Sequence, residues 1–190
     1  VFAPRVLVLA DDSASMRRQD AYAPGGPEAR QIAALGLDPS SATRLDIARA
    51  ALSNDVLRAL AGAGYETRLY AFAEGIEALP DPAQLSGRGA GTHLGEALTR
   101  VLAQNLGRHV TDILVLSDGR QNGGLALADA AREANAAGVP VHSLVLGDTR
   151  PERNALLELV EAPQTALEGD ELAFTLRVFG RGDAVGESYE

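Results

Sequence analysis

The sequence predicts an α/β fold, a doubly wound and mostly parallel sheet flanked by helices, on three observations. The stretches Val6 to Ala10 and Ile113 to Leu116 are continuous apolar runs rather than alternating ones, as expected of strands covered on both faces. Strand-like segments alternate along the chain with segments whose apolar residues recur at helical spacing. Both apolar runs end on acids, Asp11 and Asp12 after the first and Asp118 after the second, and strand C-termini are where open α/β sheets place their sites.

The elements follow in order. Val6 to Ala10 forms the first strand. Residues 17–43 are rich in Pro, Gly, Ala and polar side chains and read as an insertion, with a short helix from Pro27 to Leu35 ended by Gly36. Such length at a strand C-terminus points to a functional loop. Thr43 is placed to cap the next helix, with Asp46 in the capping-box position. Leu45, Ala48, Leu52, Val56 and Leu60 continue it at helical spacing until Gly62 and Gly64. Glu66 to Phe72 reads as a strand and the "GIEALP" segment as a short edge strand or turn. A glycine-rich loop, Gly87 to Thr92, feeds a helix carrying Leu94, Leu98, Val101, Leu102 and Leu106. Asp112 to Gly119 is the second near-continuous strand, Leu125 to Ala137 a helix, and "VPVHSLVLG" a strand through Leu146 with no evident helix after it.

Beyond Gly147 the pattern changes. Leu172, Phe174, Leu176 and Val178 alternate strictly with Ala173, Thr175, Arg177 and Phe179, which argues for a strand with one buried face. The "NALLELVEAP" segment reads either as its partner strand or as a short helix begun at Thr149 and Pro151. Residues 1–148 are therefore expected to form one domain, and residues 149–190 the start of a truncated immunoglobulin-like β domain, because a lone hairpin is marginal in water. The chain begins with Val, and we expect it to be a piece of a longer protein.

Composition narrows the function. The formal charge of −9 and a pI near 4.8 disfavour nucleic acid and anionic membranes as partners and suit a bound cation. The absence of cysteine removes disulfides, thiolate metal sites and cysteine nucleophiles. All 17 basic residues are arginine. No apolar run approaches the roughly 18–20 residues needed to cross a bilayer, so no direct membrane insertion is expected.

Two families place acids after a first strand. Receiver domains need an acidic pair, then a phospho-accepting aspartate, a hydroxyl residue and a lysine. Here Thr92 precedes Asp118, the reverse order, and there is no lysine. The alternative is the D-x-S-x-S string of Asp11, Ser13 and Ser15, with Thr92 in "GAGTHLGEAL" and Asp118 in "LVLSDGR" following in order. This three-part pattern resembles a von Willebrand factor A domain with its metal-ion-dependent adhesion site, over roughly Pro4 to Gly147, apart from the insertion and the missing final helix. Hydroxyl and carboxylate oxygens are hard ligands, so the five residues favour Mg²⁺, Mn²⁺ or Ca²⁺ over zinc or copper. The resemblance implies a Rossmann-like fold, hydroxyls on the metal, aspartates acting partly through water, and an open position for an Asp or Glu of a partner protein. It further implies a binding module rather than an enzyme, of the bacterial membrane-anchored type, a setting compatible with an extracytoplasmic position; the sequence itself assigns no compartment.

Blander roles compete for each residue. Ser13 and Ser15 suit helix capping, Thr92 an N-cap, and Asp118 with Gly119 a strand-end turn. Asp12 is assigned to solvent or a local backbone bond, and His93 is read as an exposed neighbour. "GRGAGT" lacks the GK[ST] of a phosphate loop, and the Arg181-Gly182-Asp183 tripeptide carries no functional weight. Arg17 and Arg18 are candidates for contacting an acidic partner, and the insertion, with Tyr22, for choosing it. Two alternative functions remain: a Mg²⁺-dependent phosphatase or hydrolase using Asp11 or Asp12, and a structural domain with an idle metal site.

Overall fold

The computed structural model describes residues 3–148, 154–161 and 175–181, with single residues at 169, 171 and 173. The chain divides into two compact units, Val1–Asp148 and Thr149–Glu190.

The first unit is a five-stranded sheet of β1 (Arg5–Asp11), β2 (Glu66–Phe72), β3 (Ile76–Leu79), β4 (Val110–Ser117) and β5 (Val141–Val145), in the spatial order β3-β2-β1-β4-β5. β1 pairs in parallel with β2 and β4, β4 in parallel with β5, and only the edge strand β3 runs antiparallel. All seven residues of β1 are buried. The continuous apolar run has a simple cause: Val6, Val8 and Ala10 face one core layer, while Leu7 and Leu9 face the other.

Helices fill each layer. α1 (Pro27–Ala34) and α2 (Arg44–Ala51) supply Ile32, Leu45, Ile47 and Ala48 to the first, which also takes Met16 and Leu85. α4 (Leu94–Gln104) and α5 (Leu127–Ala136) supply Ala97, Leu98, Val101, Ala130 and Ala134 to the second. α2 continues through a π-helical turn, Leu52–Val56, into α3 (Leu57–Gly62), and Gly64 at φ +84° ends the run. The capping box at Thr43 forms as the spacing predicts: its hydroxyl accepts the Asp46 amide while the Asp46 carboxylate accepts the Thr43 amide, both at 3.1 Å.

Two expectations change and one open alternative is decided. Leu106 lies beyond the end of α4 and is 81% exposed, because the helix breaks at Asn105, whose side chain turns inward to Tyr70 and Arg5. β5 is buried nowhere along its length, as an edge strand with no helix after it among the described residues. The second unit pairs β6 (Asn154–Glu161) antiparallel with β7 (Thr175–Arg181), so the "NALLELVEAP" segment is strand and not helix over its described residues, Asn154–Glu161. Leu176 and Val178 in β7 are exposed, contrary to the one-buried-face reading; among the described residues the two strands of this unit have no facing layer. Leu172, Phe174, Gly182 and Asp183 lie outside the described residues. Among the described residues no helix is long and apolar enough to cross a membrane.

Candidate metal site

β1 lies between β2 and β4, with Ala10 beside Leu116 and Asp11 beside Phe72, so Asp11 and the chain after Ser117 emerge together at the C-terminal edge of the sheet. The connection after β1 runs to β2 on one side and the connection after β4 to β5 on the other, and such a reversal is where open α/β sheets form a crevice. Three loops meet at it: residues 11–17 after β1, 85–93 before α4, and 117–125 after β4.

Hydrogen bonds close these loops into a ring. Ser13 forms a parallel bridge with Gly89, in which the Ala14 amide donates to the Gly89 carbonyl (2.7 Å) and the Gly89 amide to the Asp12 carbonyl (3.0 Å). The Thr92 amide donates to Asn122 Oδ1 (2.7 Å) and the Asn122 amide returns to the Thr92 carbonyl (3.2 Å). The Ser117 hydroxyl donates to Asp11 Oδ2 (2.6 Å). Each loop is thus tied to both others.

Within the ring, Asp11 is fully buried and its Oδ1 accepts the Ser13 amide at 2.9 Å. Burial raises its pKa; the hydrogen bonds of Ser117 and Ser13 oppose that, and the nearby negative charge of Asp118 adds to it. Such a carboxylate favours a cation that restores the lost solvation. Ser13 begins a 3₁₀ turn, Ala14–Arg17, without capping it; its Oγ instead lies 3.0 Å from Ser15 Oγ. The capping role considered for the serines is therefore not the one adopted. Nor does Thr92 cap α4, since His93 occupies the N-cap position. Asp118 does make the expected strand-end turn, accepting the Arg120 amide on Oδ1 (3.0 Å) with Gly119 at φ +77°.

Asp12 departs from its assignment. Its carboxylate accepts the Ser86 and Gly87 amides and the Ser86 hydroxyl, so it binds a distant backbone rather than solvent or its own loop. His93 is half-buried, packed where a Cβ on Gly123 or Gly124 would collide with it. Tyr22 of the insertion packs against the first core layer rather than standing free.

Several residues of the site carried no sequence signal. Arg44, the first residue of α2, is buried between two carboxylates: Nε and Nη2 hold Asp20 at 2.6 and 2.7 Å, and Nη1 holds Asp118 Oδ2 at 2.7 Å. Asn122 and Asp20 sit in polar loops where their composition is ordinary. Ser117 alone had a readable position, a polar residue at the end of an apolar strand.

The donor set is two hydroxyls, two carboxylates and Thr92, all oxygen. Among the described residues no group of three or more His, Cys, Asp or Glu gathers. That chemistry fits a hard divalent cation keeping part of its water shell. Asp118 has both oxygens engaged, by Arg44 and by the Arg120 amide, so it suits contact through water better than direct ligation.

No protein-family profile and no curated protein matches the sequence. Solved structures do. An aerotolerance-related membrane protein from Bacteroides fragilis, crystallised with multiple mutations to serine, superposes with a TM-score of 0.52 at 20% identity, over 90% of this chain and 81% of that one. Proximal thread matrix protein 1 from the mussel byssus gives 0.47 at 18% identity, over 75% of this chain and 37% of that one. A further structure of the same mussel protein, described as having a zinc-occupied MIDAS motif, gives 0.43 at 16% identity, again over 75% and 37%. This chain spans little more than a third of the mussel protein.

Proposed function

We propose that this chain, which has the mostly parallel sheet of a von Willebrand factor A fold, is a metal-dependent protein-interaction module in which a divalent cation above the β1 and β4 ends receives a carboxylate from a partner. The observation that carries the reading is the hydrogen-bonded ring of three loops, which brings Asp11, Ser13, Ser15, Thr92 and Asp118 to one sheet edge. Ser13 and Ser15 would hold the ion through their facing hydroxyls, with Asp11 and Asp118 acting from behind. When bound, the ion supplies an electrophilic centre only partly neutralised by its own ligands, so an incoming Asp or Glu is attracted.

Binding suits the site better than catalysis. Asp12, the half-buried candidate for a nucleophile, is committed to Ser86 and Gly87. Asp11 is buried behind Ser13 and Ser117, and the chain has neither lysine nor cysteine to serve as a second catalytic group. Mg²⁺ or Mn²⁺ as the resident ion, an extracytoplasmic setting and an adhesive role belong to this proposal. The reading that competes is an idle site, favoured by one observation: Arg44 already compensates the charge of Asp118.

Calorimetry with Mn²⁺ separates the two. Heat of binding in the wild type, lost in Asp11→Ala, is expected, together with enhanced relaxation of a glutamate-bearing peptide by the Mn²⁺-loaded protein. Absence of heat would leave the idle scaffold; heat without any effect on the peptide would remove the open position.

A further inference from the structure

We infer that Arg44 is a positioning residue of the metal site, orienting the Asp118 carboxylate toward the ion, and that Asp20 of the insertion holds Arg44 in place to do so. The inference rests on the metal reading above.

Arg44 uses both edges of its guanidinium. One edge forms a bidentate fork on Asp20, and Nη1 reaches Asp118 Oδ2. The three side chains are only 4%, 3% and 2% exposed. Asp118 is thereby fixed at two points, Oδ2 by Arg44 and Oδ1 by the Arg120 amide, which sets the plane of its carboxylate. A carboxylate meeting a cation through water depends on such outer partners for its orientation.

The surroundings are arranged to keep the guanidinium there. The Arg44 amide donates to the Arg18 carbonyl (3.0 Å), and Gln19 pairs with Thr43, so the start of the insertion is laid along the N-terminus of α2. Gly147, at φ +118°, lets the guanidinium pass where a Cβ would come within 2.9 Å of Nε. Burying an arginine among aspartates is a poor way to gain stability alone, since apolar packing of similar volume usually serves as well. Its placement against a strand-end aspartate of the ring has a reason if that aspartate must point correctly. The insertion then has a second task besides any contact with a partner: Asp20 ties it mechanically to the ion.

The test is Mn²⁺ calorimetry and metal-free thermal unfolding on the whole chain, in wild type, Arg44→Lys and Asp20→Asn. Lysine keeps the charge but has one nitrogen and cannot fork onto Asp20 while holding Asp118. Arg44→Lys is expected to weaken Mn²⁺ binding by about tenfold or more, the usual cost of losing an outer partner, and Asp20→Asn by a smaller factor, since the bond to Asp118 survives. If Arg44→Lys fails to fold, Asp20→Asn decides. Wild-type binding with unchanged affinity in the folded variants, whatever their melting temperatures, would overturn the inference and leave the metal reading standing. No binding by the wild type would overturn both.

Discussion

Asp11 divides its carboxylate between two loops, taking the Ser13 amide on Oδ1 at 2.9 Å and the Ser117 hydroxyl on Oδ2 at 2.6 Å. Both oxygens are bonded, yet burial still raises the pKa, so the ionised form is held at a cost that a cation would offset. Replacing Asp11 by Asn removes the charge and keeps the shape. The metal-free Asp11→Asn protein is expected to melt at or above the wild-type temperature. At an ion concentration of about 100 times Kd the wild type should gain roughly 2.7 kcal/mol, and the variant nothing. Thermal unfolding with Mn²⁺ and with EDTA reads both effects; a variant that the ion still stabilises would contradict the role given to Asp11.

Ser117 is the other half of that relationship. Ser117→Ala leaves a buried carboxylate oxygen without its donor and also removes the acceptor of the Gly119 amide, which sits 3.1 Å from the hydroxyl. A loss of about 1–3 kcal/mol is expected, measured by denaturant unfolding. The metal-dependent gain should shrink as well, since the link between the loops after β1 and β4 is cut.

Gly89 holds the second link of the ring. A Cβ there would lie 2.2 Å from the Cβ of Ala73 and 3.3 Å from the Asp12 carbonyl oxygen that its own amide bonds. Gly89→Ala must therefore shift the loop before α4 off Ala73, and with it the bridge to Ser13. We expect destabilisation of about 1–3 kcal/mol from overpacking and weaker Mn²⁺ binding, seen in the same unfolding and calorimetric experiments. Unchanged affinity would mean that Thr92 does not share the ion with the serines.

The sequence made some of this readable and hid the rest for physical reasons. β1 and β4 announce themselves because both faces are covered, which forces unbroken apolar runs on Leu7 to Ala10 and Ile113 to Leu116. The cap at Thr43 and the break at Gly64 are local devices and follow local rules. Strand ends bearing Asp11 and Asp118 were readable because the apolar run stops at them. Arg44, Asp20 and Asn122 act through partners 24 or more residues away, and no spacing rule encodes such a partner. Asp12 shows the same limit from the other side: its neighbours in sequence suggested solvent, whereas its bonds go to residues 74 and 75 positions on. Leu106 kept the helical spacing but not the helix, because the polar anchoring of Asn105 ends α4 first.

Tyr22 offers a test of how the insertion is seated. Its ring packs against the first core layer, and burial, followed by the negative charge of Asp20, pushes its phenol up to about 12 while Arg44 pulls the other way. In the unfolded chain the phenol should titrate near the ordinary value of about 10. The native state thus keeps its proton where the unfolded state has lost it, so ionisation favours unfolding and stability should fall as pH rises from about 10 through about 12. The Tyr22 phenol is expected to give a late step in a tyrosinate absorbance titration, and that late step should vanish in Tyr22→Phe. The same variant should lose part of the alkaline decline in denaturant stability. In Asp20→Asn the late step should move down toward the ordinary value, because the negative charge is gone; a late step that survived in Tyr22→Phe would mean that the insertion does not pack its tyrosine against the core.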